Sequence, residues 1–401
     1  MEKDWNFDEV IDRSGTGSMK WEPSVLRAKF GSGREGLLPL WVADMDFYCP
    51  DVVQNAMAER LSHQIYGYTI YDKEGDAALI NWFGRRHNWE IRPSWLLNTP
   101  GIVPAVHYLV QRFTCPGDRV LIQTPVYYPF GEAIRTNGRY IIENPLKIVG
   151  GRYEMDFEDM AEKAADPRVK MAILCSPHNP VGRVWDRGEL EQFGQICIDN
   201  NVLILADEIH CDLVMPGFNH TSFQSVSDRF AQHSIAAVAA SKTFNLAGLA
   251  HSSLVVPDAA LRREIGIYFE TLGMNARGGG SLFGAVASRA AYEGGEPWLN
   301  ALILYLNDNF GYLKHRIETE LRGVRVFDLE ATYLPWIDFR ALGVSHQRLV
   351  EIVEQEAGLA LDHGDWFGTN GEGFERINIA CPKALLEKAV DALIRAFTPH
   401  I

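Results

Sequence analysis

The chain has 401 residues, with 52 acidic side chains against 38 basic ones, which gives a formal net charge of −14. Its length predicts two or three domains, since a domain holds roughly 100–200 residues. An acidic balance without a basic tail argues against nucleic acid or an anionic membrane as a partner. The six cysteines form no CxxC pair and the apolar runs are too short to span a membrane, which predicts a soluble cytoplasmic protein.

Short apolar runs alternate with helix-length amphipathic stretches between residues 94 and 256. Helices are predicted over 101–113, 157–164 and 187–200. Continuous apolar strands between helices are typical of a parallel sheet that is covered on both faces. The predicted strands are RVLIQ (119–123), VKMAILC (169–175), NVLILA (201–206), SIAAVAA (234–240) and SSLVV (252–256).

The pattern changes near residue 296, where helices over 296–322, 345–357 and 382–397 surround the strand-like runs RVFDL, TYLPWIDF and ERINIA. The first 49 residues are rich in tryptophan and irregular, and we expect them to pack on this part or to cover the active site. We therefore predict an α/β fold with two domains. The large domain (50–292) has three layers and a mainly parallel central sheet, and the small α+β domain combines 1–49 with 293–401.

A GxGxxG sequence, GSGREG, occurs at 31–36. A dinucleotide-binding fingerprint needs a strand before it and a helix after it. Here SVLRAKF precedes the glycines and the strand-like LLPLWVADM follows them, so the order is reversed and the segment is interpreted as a turn.

Polar residues follow four of the predicted strands, at the point where each strand ends. They are Tyr127, Asn179, the Asp207–His210 group and Lys242. Ligands of open α/β sheets bind beyond the carboxyl ends of the strands. Singly, these residues have ordinary explanations in turns, packing and helix caps. Four complementary groups at four strand ends indicate a shared site.

A lysine, a buried carboxylate, an aromatic ring and an amide form the set of side chains that pyridoxal phosphate requires. The lysine forms an imine with the aldehyde, for which its pKa must be lowered. The carboxylate keeps the pyridine nitrogen protonated, and the aromatic ring stacks on the cofactor. Its phosphate is best held by backbone amides at a helix N-terminus, which TPGIVPAVHYLV (99–110) supplies.

The sequence resembles a known family through motifs that cover nearly the whole chain. PGIVPA, TPVYYPF, CSPHNPVGRVW, ADEIHCDL, SKTFNLAGL and FERINIACP are similar to fold-type I pyridoxal-phosphate enzymes of aminotransferase class I/II. WVADMDFYCP, TYLPWIDFR and HGDWFGTNGEGFERINIA resemble more narrowly the cystathionine β-lyase branch of MalY/PatB type. The resemblance implies an aminotransferase-like fold, pyridoxal phosphate as cofactor, an amino acid substrate and a homodimer with shared active sites.

The resemblance also implies a role for individual residues. Lys242 is the imine lysine and, with Tyr127, a catalytic residue, and Arg376 binds the substrate α-carboxylate. The implied cofactor-binding set is Tyr68 (from the neighbouring subunit), Ile102, Val103, Tyr127, Asn179, Asp207, His210, Ser241 and Lys242. No metal site is expected.

Two features depart from the family pattern. Aminotransferases of this superfamily usually carry a phosphate-binding arginine eight residues after the lysine, where this chain has Ala250. The segment MNARGGGSLFG (274–284) is rich in glycine and is expected to form the neighbouring subunit's edge of the active site.

The resemblance implies β-elimination from L-cystathionine or related L-cysteine S-conjugates, with release of a thiol, pyruvate and ammonia. Two alternatives stay open at this point. The same residues serve transamination of a small L-amino acid, and a cofactor-bound protein of this family can act as a regulatory partner.

Overall fold

The computed structural model describes residues 5–69, 72–275 and 277–400. Its α-helices are α1 (Pro23–Phe30), α2 (Asp51–Ser62), α3 (Lys73–His87), α4 (Ile102–Phe113), α5 (Tyr128–Thr136), α6 (Phe157–Ala164), α7 (Arg187–Asp199), α8 (Asp228–Gln232), α9 (Ala240–Thr243), α10 (Ala259–Thr271), α11 (Leu282–Gly294), α12 (Glu296–Glu320), α13 (His346–Glu351) and α14 (Lys383–Phe397).

The strands are short, as is usual for a sheet that carries its function at its edge. They are β1 (Leu38–Pro39), β2 (Leu96–Thr99), β3 (Arg119–Ile122), β4 (Tyr140–Glu143), β5 (Lys147–Val149), β6 (Arg152–Glu154), β7 (Val169–Cys175), β8 (Leu203–Asp207), β9 (Ser234–Val238), β10 (Ser252–Val255), β11 (Arg325–Val326), β12 (Trp336–Asp338), β13 (Leu359–Ala360), β14 (Asp362–His363) and β15 (Phe374–Arg376).

Seven strands form the central sheet, in the order β2-β10-β9-β8-β7-β3-β4. Strands β9, β8, β7, β3 and β4 are parallel to one another. Strand β10 runs antiparallel to both β9 and β2. Because two reversals restore the original direction, β2 points the same way as the parallel strands. The N-terminus of α4, which follows β2, therefore lies at the edge where the parallel strands end.

Alternate residues of the central strands face two separate apolar layers. In β7, Met171 and Ile173 pack with residues of α4, α5 and α10. Ala172 and Leu174, on the other face, pack with residues of α6 and α7. The sheet is thus the middle layer of three, and the predicted α/β fold with a mainly parallel sheet is confirmed.

All five predicted strands occur, with two differences. The run SIAAVAA ends as a strand at Val238, because Ala240 already begins the short helix α9 that carries Lys242. The run SSLVV forms β10, which is antiparallel to both of its neighbours, so the sheet is mainly parallel, as predicted, and not entirely so. An apolar run shows that a strand is buried but does not show its direction.

A second, four-stranded antiparallel sheet has the order β11-β12-β15-β14 and packs with α12, α13 and α14. The helix predicted over 345–357 divides into α13 and a π-helical turn (Ile352–Glu356). In the N-terminal part, β1 pairs with β13, and the glycines of 31–36 form the turn between α1 and β1.

One apolar cluster extends from Phe7 to Phe397 and includes the face of the central sheet that carries Ala172 and Leu174. The predicted boundary at 292/293 falls inside α11. The division into 50–292 and 1–49 with 293–401 stays a prediction, and residues 1–4 and 401 lie outside the described part of the chain. Among the described residues, no helix has both the length and the apolar character that crossing a bilayer requires.

Candidate active site

The carboxyl ends of four adjacent parallel strands open into a cavity of about 270 Å³. β3, β7, β8 and β9 lead to Tyr127, Asn179, Asp207 and Lys242 respectively. The described lining also contains the sequence-predicted residues Ile102, Val103, His210 and Ser241. The structure therefore brings together eight side chains or amides that are separated by up to 140 residues in the sequence.

Lys242 lies on α9, directly after β9, with its amine inside the cavity. Its Nζ donates a hydrogen bond to the carbonyl of Ala43 over 2.6 Å. Burial lowers the pKa of Lys242 to about 8, and the charge of Arg376 acts in the same direction, against the opposing effects of Asp44 and Asp207. About a tenth of such amines are neutral at pH 7, so the nucleophilic form is available.

Asp207 is the last residue of β8 and is buried at the cavity wall. Its carboxylate accepts a hydrogen bond from the Ile209 amide over 3.1 Å. Burial raises the pKa of Asp207 to about 7, although this amide and the Lys242 charge lower it. A cationic ring nitrogen beside the carboxylate would restore its ordinary ionisation, as the proposed pyridinium contact requires.

His210 and Tyr127 are both held in their neutral forms. Burial lowers the pKa of His210 to about 3, and its Nδ1 has no hydrogen-bond partner among the described residues. Burial raises the pKa of Tyr127 to about 12, so the phenol keeps its proton at physiological pH. The Tyr127 ring is fixed by an edge contact with Phe130, with 5.6 Å between centroids.

The N-terminus of α4 supplies an anion site at the other end of the cavity. Gly101 precedes the helix and provides no side-chain cap. The amides of Ile102 and Val103 have no acceptor within the helix, and the next residue, Pro104, has no amide hydrogen. Ala250, where a phosphate-binding arginine was expected, lines the same cavity and offers no charge.

Arg376 is buried on β15, next to the strand-end cluster. Its Nη1 donates to the Asn179 Oδ1 over 2.9 Å, which ties the second sheet to the cavity. Its Nη2 donates to the Trp41 carbonyl and to Asp362. The guanidinium is thus positioned beside the cavity by an amide, a backbone carbonyl and a carboxylate.

Tyr68 is not part of this cavity in the single chain. It is fully exposed and lines a larger groove of about 780 Å³ together with residues 275 and 277–282 of the glycine-rich segment. His251 contributes to the walls of both the groove and the cavity. The placement at the neighbouring subunit's site stays a prediction for Tyr68 and for 274–284, of which residue 276 lies outside the described residues.

Pyridoxal phosphate fits the cavity by its chemistry. Among the described residues, the buried Asp207 carboxylate has no hydrogen-bonded cationic partner and the buried His210 Nδ1 has no hydrogen-bond partner, and the helix amides of Ile102 and Val103 face the space where an anion would lie. A lysine of lowered pKa lies between them. These requirements match the pyridine nitrogen, the phenolic oxygen, the phosphate and the aldehyde of the cofactor.

The model of the aminotransferase class I and II family matches residues 37–393. The chain belongs to this family. It is 42% identical to cystathionine beta-lyase PatB of Bacillus subtilis (strain 168) over 95% of this chain and 97% of PatB. This likeness places it in the cystathionine β-lyase branch that the motifs indicated.

Solved structures agree with the branch. Cystalysin from Treponema denticola, whose crystal structure contains pyridoxal 5'-phosphate, superimposes with a TM-score of 0.93 at 35% identity, covering 99% of this chain and 100% of cystalysin. A pyridoxal-phosphate-bound putative aminotransferase from Clostridium difficile 630 gives a TM-score of 0.94 at 40% identity, covering 98% and 100%.

The first 49 residues were expected to pack on the second part of the chain or to cover the active site, and Ala43 does line the cavity, but the contacts that hold residues 42–47 there were not predicted. Residues 42–47 are held by Asn245, which exchanges hydrogen bonds of 2.9–3.0 Å with Met45 and Phe47. Asn378 holds the same segment through the carbonyls of Val42 and Asp44. The motif WVADMDF was noticed in the sequence, but its backbone carbonyls accept these hydrogen bonds. Since every residue type has a backbone carbonyl, the motif could not predict the contacts.

Asp212 is a second residue that the sequence reasoning missed. This buried carboxylate accepts hydrogen bonds from Trp82 (3.0 Å) and from Thr243 (2.9 Å), the residue after Lys242. His87, Cys211 and Asp212 have potential metal-ligand atoms within 4.8 Å of one another. Arg86, 3.6 Å from Asp212, already supplies positive charge there, which disfavours a cation. We assign Asp212 the role of fixing α9.

The glycine-rich segment packs against β2 at very short range. Gly278 has a φ of 82°, and a Cβ at this position would lie 1.8 Å from the Asn98 carbonyl oxygen. The Asn98 carbonyl instead accepts a hydrogen bond from the Gly279 amide, while the Asn98 amide donates to Arg277. Glycine is required here because the two backbones approach too closely to leave room for a Cβ atom and because φ is positive.

Proposed function

We propose that this protein is a pyridoxal-phosphate-dependent carbon–sulfur β-lyase that converts L-cystathionine or related L-cysteine S-conjugates to a thiol, pyruvate and ammonia. The observation that carries the proposal is a cavity lined by Lys242 and Asp207, with Arg376 hydrogen-bonded to Asn179 in its wall. PatB and a C–S lyase from Staphylococcus hominis, both similar over nearly their full lengths, support the reaction type.

Arg376 binds the α-carboxylate of the amino acid. Its hydrogen bond to Asn179, which lines the same cavity as Lys242, supports a substrate orientation with the carboxylate toward Arg376 and the Cα hydrogen toward Lys242. A guanidinium suits this role because its planar fork fixes both charge and orientation. The backbone of 42–47 covers the site and limits access of water.

Pyridoxal phosphate supplies an aldehyde for the substrate amine and a protonated ring that accepts the electrons of the Cα–H bond. Asp207 holds the proton at the ring nitrogen. Lys242, as a neutral amine, takes the Cα proton, and its pKa of about 8 suits a base that works near neutral pH. The same ammonium group is then the proton donor nearest to the departing sulfur.

The leaving group is a thiolate, which departs from Cβ with the electrons of the C–S bond. A thiol has a pKa near 8.5, so its anion leaves far more readily than an alkoxide. Tyr127 and His210 are neutral and can donate hydrogen bonds without adding a charge that would compete with Asp207. The released aminoacrylate then hydrolyses to pyruvate and ammonia.

Incubation with L-cystathionine is expected to yield equimolar thiol, pyruvate and ammonia. The thiol can be followed with a disulfide reagent and the pyruvate with lactate dehydrogenase. A parallel reaction with an amino acid and a keto acid tests transamination. Formation of a new amino acid without thiol release would contradict the lyase proposal and support an aminotransferase.

The active unit is proposed to be a homodimer. Tyr68 is fully exposed on a segment beside a large groove, although a lone tyrosine is usually partly covered. Val52, Leu61, Ile65 and Tyr66, on α2 and the segment after it, are also exposed large hydrophobic residues in the single chain. A surface of this kind suits burial against a second copy, with Tyr68 reaching the partner's phosphate site.

Mixing Tyr68→Phe subunits with Lys242→Ala subunits is expected to restore activity above that of either parent. In the mixed dimer one site has both side chains and the other has neither. Turnover after refolding or subunit exchange measures the effect, and Tyr48→Phe, at another exposed tyrosine, is the matched control. A fully active monomer that retains cofactor would contradict the shared site.

We also infer a cytoplasmic location. All six cysteines are free thiols, one of them exposed, which suits a reducing compartment.

A further inference from the structure

The ladder between β14 and β15 contains two ion pairs, and the two members of each pair are directly opposite each other in the register. Asp362 is the register partner of Arg376, and His363 is the register partner of Glu375. Because successive side chains of a strand point to opposite faces, the two pairs lie on opposite sides of the ladder. The Asp362–Arg376 pair is the one on the side of the cavity, since Arg376 also contacts Asn179.

This pair is almost completely buried. The side chains of Arg376 and Asp362 are 2% and 1% exposed, and the Asp362 Oδ2 accepts from the Arg376 Nη2. The second oxygen of Asp362, Oδ1, has no hydrogen-bond partner among the described residues, and neither has the Arg376 Nε. Each member of the pair therefore keeps one buried polar atom without a hydrogen-bond partner among the described residues.

The proposed substrate brings a second carboxylate to the same guanidinium. Arg376 and Asp362 together carry no net charge, so an arriving α-carboxylate leaves two carboxylates with one hydrogen-bonded cation in a buried space, and the more distant Lys29 and His363 compensate the extra charge only in part. Two carboxylates that share one site cannot both stay ionised without a large increase in free energy. A proton on Asp362 removes this charge and turns its unpartnered oxygen into a hydrogen-bond donor.

We propose that substrate binding is coupled to uptake of one proton by Asp362, which then shares Arg376 with the substrate α-carboxylate as a neutral acid. Asp362 is in this view a positioning residue for Arg376 in the free protein and a proton acceptor on binding. The proposal rests on the proposed function only in its assignment of Arg376 as the carboxylate site.

The charges around Asp362 set the pH range of the effect. Burial raises the pKa of Asp362, although Arg376, Lys29 and His363 lower it. The groups that face it are Arg376 on β15, His363 on β14, Lys29 on α1, and Tyr127 and Tyr128 at the start of α5. The Glu375 and Glu354 carboxylates raise the pKa of His363 to about 10 against the effect of burial, so His363 stays charged between pH 6 and 8.

The sign of the effect follows from this linkage. Above the pKa of Asp362 in the free protein, each ligand that binds must bring a proton from solution. The dissociation constant of a carboxylate ligand then rises by about tenfold per pH unit, until the pKa of Asp362 in the complex is reached. At lower pH, Asp362 is already protonated and the affinity no longer depends on pH.

The test uses 3-(methylthio)propionate, which has the carboxylate and thioether of the proposed substrate but no amine to react with the cofactor. Its binding to the holoenzyme is measured by calorimetry between pH 6 and 8 in two buffers of different ionisation enthalpy. We expect uptake of about one proton per site and affinity that weakens as pH rises. This readout is a binding equilibrium and is independent of turnover.

Asp362→Asn is expected to bind this ligand without proton uptake, with affinity that changes less than about twofold over the same range. The matched control is Asp365→Asn, three residues away, where a 43%-exposed carboxylate pairs with His346 and wild-type behaviour is expected. If Asp362→Asn does not fold, Asp362→Ser takes its place, because Lys242 and Asp207 also titrate near this range and only a variant without the Asp362 carboxylate assigns the proton.

Binding without proton uptake and without pH dependence in the wild-type protein would overturn this inference and leave the proposed function intact. Higher affinity of the wild type than of Asp362→Asn at pH 8 would also overturn it, because a purely structural role is then sufficient. Absence of binding to all three proteins would overturn both the inference and the assignment of Arg376.

Discussion

Replacing Lys242 with alanine is expected to lower lyase turnover by at least about 10⁴-fold, because the variant loses both the attachment point of the cofactor and the base for the Cα proton. The purified wild-type protein should be yellow, and the variant should lose the visible absorption of the lysine-bound cofactor. Steady-state kinetics and an absorption spectrum after dialysis measure the two effects. Borohydride treatment followed by peptide mass analysis should locate the cofactor on Lys242 in the wild type.

Lys170→Ala is the matched control, since this lysine is exposed on β7 of the same sheet. It should keep wild-type activity and colour. Full lyase activity in Lys242→Ala, or retention of the visible band, would show that another amine carries the cofactor.

Replacing Arg376 with alanine is expected to raise KM for amino acid substrates by about 30- to 1000-fold. This range corresponds to about 2–4 kcal/mol for truncation of one partner of a buried, hydrogen-bonded charge pair. Cofactor affinity should change much less, because Arg376 contacts the cavity only through Asn179. Steady-state kinetics and cofactor titration of the apoprotein separate the two quantities.

Arg376→Lys should lie between the wild type and Arg376→Ala, because it keeps the charge and loses the planar fork. Arg348→Ala, at a half-exposed position on α13, controls for loss of a guanidinium from the same part of the molecule. An unchanged KM in Arg376→Ala would exclude this residue as the carboxylate anchor, whereas a thermal unfolding scan shows whether the unpaired Asp362 has destabilised the protein.

The sequence predicted the position of the site because strand ends are visible in it. Tyr127, Asn179, Asp207 and Lys242 each follow a buried apolar run, and parallel strands must end at one edge. The direction of β10 could not be predicted, because antiparallel and parallel buried strands have the same composition. The branch of the family was indicated by motifs rather than by composition or periodicity.

The contacts that the sequence did not predict join distant parts of the chain. They are made by backbone carbonyls, which every residue has, or by common side chains that no motif distinguishes. Ala43 is separated by 199 residues of sequence from Lys242, whose amine donates a hydrogen bond to the Ala43 carbonyl. Asp362 is one of many acidic residues, and only the register of a two-residue strand against β15 makes it the partner of Arg376. Such pairings depend on tertiary structure, which local patterns do not encode.

The backbone of 42–47 is hydrogen-bonded both to the part of the chain that carries Lys242 and to the part that carries Arg376. Asn245 follows the helix of Lys242, and Asn378 follows the strand of Arg376, so the same short segment is hydrogen-bonded beside the proposed base and beside the proposed carboxylate anchor. A rotation of the second sheet away from the central sheet must break these hydrogen bonds or straighten the segment, which bends at residues 42–43 and 46–47. We therefore expect the segment to couple the position of the proposed proton acceptor, Lys242, to that of the proposed carboxylate anchor, Arg376, so that the two sheets move together.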